Sequence, residues 1–155
     1  MVKSYQGAFS IKTKTSEAGQ AITVADYMAT KLITLTPDQS MQEAMDLLLK
    51  NKISGAPVVD ATGKLIGVIS EGDCLKEIVK GKYNNTPSIP ATVKDYMAAE
   101  IISISPDKNI FEAANTFLRL RFRRFPVIQD GKLVGQISQR DIMRAVSNMK
   151  ETSWK

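Results

Sequence analysis

The sequence predicts a mixed α/β (α+β) fold made of two tandem β-α-β-β-α units packed as one domain with pseudo-two-fold symmetry. Three observations carry that expectation. The stretch Pro57–Asp73 recurs as Pro126–Asp141. In both copies short apolar runs are bounded by turn residues, as buried strands require. Each copy is also preceded by apolar residues at helical spacing. Val24-Ala-Asp-Tyr-Met-Ala29 matches Val93-Lys-Asp-Tyr-Met-Ala98 at an offset of 93 − 24 = 69, and the offset becomes 68 after one turn residue is dropped. Aligning 24–61 and 63–75 with 93–130 and 131–143 gives 20 identities in 51 pairs, too many for chance, so the chain is a tandem duplication.

The elements follow in order. Residues 1–21 are polar, with Lys3, Lys12 and Lys14 among Ser, Thr, Gln and Gly, and read as a flexible arm with a short strand near Ala8–Ile11. The first unit spans 22–80 and the second 92–150, joined by an 81–91 linker rich in turn residues and followed by a 151–155 tail that carries Trp154. Leu32–Thr36 and Ile101–Ser105 read as short strands, each stopped by Pro-Asp. A helix follows in each unit, opened by a capping box at Ser40–Glu43 and by Asn109–Glu112 as its counterpart. Met41, Ala44, Met45, Leu48 and Leu49, and then Ile110, Ala113, Ala114, Phe117 and Leu118, form a core stripe.

Two strands come next. Asp130-Gly131 is a two-residue hairpin signal, since Gly accepts the positive φ of such a turn, and Ala61-Thr62-Gly63 does the same job with one residue more. A Ser-x-x-Asp (Ser70–Asp73, Ser138–Asp141) opens the closing helix, Asp73–Lys80 or Asp141–Met149. One unit is too small to bury a good core alone, and two packed together solve that problem.

Composition narrows the function. Hydrophobic residues are 43% and charged residues 24%, the balance of an ordinary globular protein. No apolar run approaches the roughly 20 residues that cross a bilayer, and the N-terminus has no signal-peptide core. The lone Cys74 cannot form an internal disulfide, which points to a reducing cytoplasm. Histidine is absent, which excludes Ser-His-Asp and Cys-His catalysis and HExxH zinc sites. No GxxxxGK[ST] or GxGxxG loop is present. The expectation is a non-enzyme with no cofactor and no metal.

The Val-x-Asp-Tyr-Met openings, Pro57-Val-Val-Asp with Pro126-Val-Ile, and the Gly-x-Ile-Ser-x-x-Asp endings together resemble a tandem pair of cystathionine β-synthase (CBS) domains, the Bateman module, over about residues 22–150. The resemblance implies an adenosine-containing ligand (AMP, ADP, ATP, S-adenosylmethionine or NAD) in clefts between the two units. It implies ribose contacts from Asp73 and Asp141, with Ser70 and Ser138 beside the ribose or phosphate. It also implies an adenine pocket from the backbone of Gly55, Ala56, Pro57 and Val58 and of Phe125, Pro126 and Val127, with Thr36 and Ser105 nearby. A carboxylate can accept two hydroxyl hydrogen bonds, as a ribose demands. Asp is equally suited to capping a helix, so both readings stand.

The units differ before Pro-Val, where the second carries Arg119, Arg121, Arg123 and Arg124. Arg123, Arg124 and Arg140 are the phosphate candidates, since guanidinium donates in pairs to phosphate oxygens. Gly72 replaces Arg140 in the first unit and stands beside Glu71, so the second unit is expected to be the better phosphate binder. The expected function is a regulatory adenine-nucleotide sensor, homodimeric through its CBS units, that signals to an unidentified effector protein. The alternatives are a nucleic-acid-binding module using the Arg119–Arg124 cluster and a structural oligomerisation module with empty clefts.

Overall fold

The computed structural model describes residues 22–84 and 91–153. The arm with its Ala8–Ile11 strand and Trp154 lie outside them. The elements are α1 (Val24–Tyr27), α2 (Met41–Asn51), β1 (Gly55–Val59), β2 (Leu65–Ser70), α3 (Glu71–Asn84), α4 (Val93–Tyr96), α5 (Ile110–Leu120), β3 (Arg124–Gln129), β4 (Lys132–Ser138) and α6 (Gln139–Ser153). This is a mixed α/β arrangement of two β-α-β-β-α-like units.

The first strand of each unit is shorter than expected. Leu32–Thr36 makes one parallel bridge, Leu35 to Val58, and Ile101–Ser105 makes one, Ile104 to Val127. Leu35 is nevertheless closed in the core, tied by its N–H to the Pro57 carbonyl and by its own carbonyl to the Val59 N–H.

β1 and β2 pair antiparallel, from Gly55 opposite Ser70 to Val58 opposite Gly67, with an irregularity before Val59. In their connecting turn the Asp60 carboxylate accepts from the Thr62 N–H (2.9 Å), the Thr62 hydroxyl (2.6 Å) and the Lys64 N–H (3.0 Å). β3 and β4 join through Asp130 (φ 53°) and Gly131 (φ 78°), the double positive φ of a type I′ turn.

Two compact units emerge, and they do not coincide with the sequence repeats. One gathers residues as far as Thr30 with Ser103–Val127 and Val134 onward; the other holds Lys31–Ile102 with Ile128–Leu133. The cause lies in the Val-x-Asp-Tyr-Met segments. Val24 is fully buried among Ile104, Ile110, Phe117 and Val127 of the second repeat, and Val93 among Leu35, Met41 and Val58 of the first. Val24 donates its N–H to Lys108 and Ala25 donates to Pro106; Val93 donates to Gln39 and Lys94 donates to Pro37. Each opening segment thus finishes the unit of the other repeat.

The Met of each segment locks onto a glycine. Ala29 and Gln136 exchange N–H···O bonds, as do Ala98 and Val68. A Cβ placed on Gly67 would lie 2.5 Å from the Met97 sulfur, and one on Gly135 would lie 2.5 Å from the Met28 sulfur. The two motifs that repeat in the sequence, Tyr-Met and Gly-x-Ile-Ser, are the two halves of this contact.

The helical stripes hold with one correction each. Met41, Ala44, Leu48, Ile110, Ala113 and Phe117 are buried, but Leu49 is 77% and Leu118 63% exposed. These last positions sit at the edge of the apolar stripe, and the chain turns away just beyond them into a left-handed residue, Lys52 (φ 53°) or Arg121 (φ 58°). The helix caps also differ. Ser40 accepts from the Glu43 N–H as expected, whereas Asn109 accepts from the Phe111 N–H at 2.7 Å, not from Glu112.

Candidate functional site

The strand-to-helix junctions after β2 and β4 carry the Ser-x-x-Asp residues. The closing helices begin two residues earlier than expected, at Glu71 and Gln139, so Ser70 and Ser138 are the N-caps and Asp73 and Asp141 stand at the third helical position. Asp73 Oδ2 accepts the Ser70 N–H at 2.8 Å and the Ser70 hydroxyl at 3.0 Å, and the Asp73 N–H reaches back to Ser70 Oγ at 3.4 Å. Asp141 Oδ2 accepts the Ser138 N–H at 2.8 Å, and the Asp141 N–H meets Ser138 Oγ at 3.1 Å. These are reciprocal capping boxes. The capping role is therefore real in both units, and it occupies one carboxylate oxygen.

The other oxygen separates the units. Asp141 Oδ1 is held by Arg144 Nη2 at 2.9 Å, while Asp73 Oδ1 accepts no hydrogen bond among the described residues. Asp141 is 15% exposed and Arg144 55%. Arg144 also lies 5.9 Å above the Tyr27 ring, whose hydroxyl accepts from Asn148 Nδ2 at 2.9 Å. Sequence reasoning passed over Arg144, although an Asp–Arg pair three residues apart on a helix signals such a contact. It also passed over the Thr23–Asp26 and Thr92–Asp95 pairs, in which each Asp accepts its Thr N–H at 2.9 Å. The Thr-x-x-Asp spacing before an apolar residue was the available signal.

The remaining sequence candidates divide by position. Gly55 pairs with Ser70, and the Glu71 N–H donates to the Ser54 carbonyl at 3.0 Å, so Gly55, Ser70 and Asp73 share one junction. Ala56, Pro57 and Val58 are buried, as are Phe125, Pro126 and Val127, and the Ala56, Val58, Phe125 and Val127 side chains belong to the two cores. The Pro57 and Pro126 carbonyls are already engaged by Leu35 and Ile104. Phe125 packs on Phe117 with ring centres 4.6 Å apart. Thr36 follows the Leu35–Val58 bridge, three residues along β1 from Gly55, which separates it from the junction by roughly 10 Å. Its N–H donates to Gln39 Oε1, and Ser105 Oγ donates to Asp107. Arg123 and Arg140 are exposed and Arg124 is half-buried; none of them forms an ion pair among the described residues. The Gln139 N–H donates to the Arg123 carbonyl at 3.3 Å, which brings Arg123 beside the start of α6.

No cluster of three or more His, Cys, Asp or Glu side chains is poised to hold a metal among the described residues, and no helix there is long and apolar enough to cross a membrane. A groove of about 710 Å³ lies between α2 and α3, lined by Leu48, Leu49, Ile53, Cys74, Leu75 and Ile78 with Lys52 and Glu71 at its polar edge.

The CBS-domain model matches this chain twice, at residues 24–80 and 93–148. The chain belongs to the CBS-domain family. It is a tandem CBS pair, and its relatives fit that description. It is 29% identical over 125 residues to the uncharacterized protein MJ1225 of Methanocaldococcus jannaschii, across 81% of this chain and 43% of that one. This CBS pair therefore spans less than half the length of that relative. Among solved structures, CBSX2 of Arabidopsis thaliana in complex with AMP superposes with a TM-score of 0.73 at 31% identity, over 83% of this chain and 98% of that one. The CBS domain pair of MJ0100 in complex with 5-methylthioadenosine and S-adenosyl-L-methionine gives a TM-score of 0.68 at 26% identity, over 83% and 98% of the two chains.

Proposed function

We propose that this CBS pair is a non-catalytic sensor of an adenosine-bearing ligand, an adenine nucleotide such as AMP, ADP or ATP. One observation carries the reading: Asp73 is fixed through Oδ2 by its own capping box while Oδ1 is left to accept from outside. A carboxylate oxygen held in place at a strand-to-helix junction is suited to a ribose hydroxyl. The ligands named for the CBSX2 and MJ0100 structures share that ribose. Arg123, Arg124 and Arg140, unpaired with any carboxylate among the described residues, are the groups we assign to phosphate.

Signalling requires that the ligand prefer one of two states of the protein or its complex, and we propose that the output passes to a partner protein. We further propose a homodimer formed through the CBS units. Leu49 and Leu118, and likewise Leu75 and Met143, are exposed at equivalent positions of the two repeats, giving two apolar faces of one design. The lone cysteine supports a reducing compartment.

Thermal unfolding against AMP, ADP, ATP, S-adenosylmethionine, NAD and 2′-deoxy-AMP tests the reading. A ligand that binds only the folded state raises the midpoint, by the equivalent of about 2.7 kcal/mol at a hundredfold excess over Kd. The expected result is a rise with at least one ribose ligand and a smaller one with the deoxy analogue. No shift with any of them at millimolar concentration refutes it.

A further inference from the structure

Resting on that reading, we infer that Arg144 is a built-in competitor at the second junction, so that the two aspartates are unequal receptors for an uncharged nucleoside. Both carboxylates spend Oδ2 on the serine N–H of a capping box, and among the described residues only the second has its outward oxygen occupied, at 2.9 Å from the guanidinium. Lys76 stands at the equivalent place in α3 and makes no ion pair with Asp73 among the described residues. A diol reaching Asp141 Oδ1 displaces Arg144; a diol reaching Asp73 Oδ1 displaces nothing described. Arg144 keeps a second resting place over the Tyr27 ring, so releasing the carboxylate does not require the side chain to leave the surface.

An ion pair this exposed contributes at most about 1 kcal/mol, which converts to about a fivefold difference in affinity. Chloride screens it, so added salt must weaken the competitor and tighten a neutral ligand, the opposite of the usual trend for a nucleotide.

Adenosine is the probe, titrated calorimetrically into the full chain carrying Asp73→Ala or Asp141→Ala, each with and without Arg144→Gln. In the Asp73→Ala chain, Arg144→Gln should tighten adenosine about three- to fivefold, and in the Asp141→Ala chain it should change nothing. Raising NaCl from about 20 to about 500 mM should tighten adenosine in the Asp73→Ala chain and lose that effect once Arg144 is replaced. Should either aspartate variant unfold, Arg144→Gln in the otherwise native chain supplies the same readout: the weaker of two binding steps tightens and the stronger stays. Unchanged or weaker binding on replacing Arg144, with adenosine still bound, overturns the inference and leaves the ribose reading standing. Adenosine bound by no form, the native chain included, overturns both.

Discussion

Gly67→Ala tests the contact that fastens α4 to the strands of the first repeat. A Cβ there would stand 2.5 Å from the Met97 sulfur, 2.8 Å from its Cγ and 3.1 Å from its Cβ. Ordinary contact is about 3.5–4.0 Å, so the shortfall is roughly 1 Å at the sulfur. Three successive atoms of Met97 crowd the glycine, and rotating the far end alone does not clear them. Either the whole side chain changes rotamer or the segment lifts away, which strains the paired N–H···O bonds between Val68 and Ala98. Overpacking of this kind costs about 1–3 kcal/mol, a fall in Tm of roughly 3–10 °C for a chain of this size. Urea denaturation of Gly67→Ala, Met97→Ala and the double variant measures it. Removing Met97 should reduce the cost of Gly67→Ala to under about 0.5 kcal/mol, a coupling of at least about 0.5 kcal/mol between neighbours. A Gly67→Ala protein as stable as the native one, or a cost that survives in the Met97→Ala background, would refute the interlock.

Other outcomes follow from single sites. Lys52→Gly and Arg121→Gly should each raise stability by about 0.5–1 kcal/mol in urea, because both positions are left-handed and a side chain there is strained. The Tyr96 hydroxyl, buried without a partner at full hydrogen-bond geometry among the described residues, lies beside the Glu77 carboxylate, which together with burial pushes its ionisation up to about 12. Since the folded value is raised, its contribution to stability is complete below the ordinary tyrosine value near 10 and is lost as pH climbs through about 12. A spectrophotometric titration should show one late tyrosine that returns to the ordinary range in Glu77→Gln. Burial, reinforced by the Asp73 and Glu71 charges, raises the Cys74 thiol, so it should react with a disulfide reagent near pH 8 more slowly than free cysteine and faster in Asp73→Asn.

Much of the fold was legible because duplication turns weak local signals into strong ones. Asp130-Gly131 predicts its own turn, since both residues must take positive φ and the sequence offers a residue that does so freely. The stripe from Met41 to Leu48 is buried because its spacing closes one face of a helix. What stayed hidden is non-local. Val24 and Val93 open their own repeats in sequence but are buried in the other repeat's core, and no periodicity reports where a four-residue helix will dock. The isolated bridges at Leu35 and Ile104 stayed hidden for a related reason, since ladder length depends on the partner strand as well as on β-branched content.

The site was legible in residue type and not in geometry. Asp73 and Asp141 posed an alternative in the sequence, helix cap or ribose ligand; the cap is observed through Oδ2, and it does not exclude the proposed ribose contact at Oδ1. Oδ2 is spent on the strand-end N–H in both units, and that bond aims Oδ1. A carboxylate anchored in this way has little side-chain freedom left to lose when a hydroxyl arrives, which lowers the entropic cost of binding. Capping is thus what would make the aspartate a good receptor. By the same logic, removing the carboxylate confounds two effects, and a lost ligand response in Asp73→Ala is interpretable only beside a variant that leaves the cap and changes what competes for Oδ1. Arg144 offers that variant in the second unit, because it touches Oδ1 and leaves the Ser138 box intact.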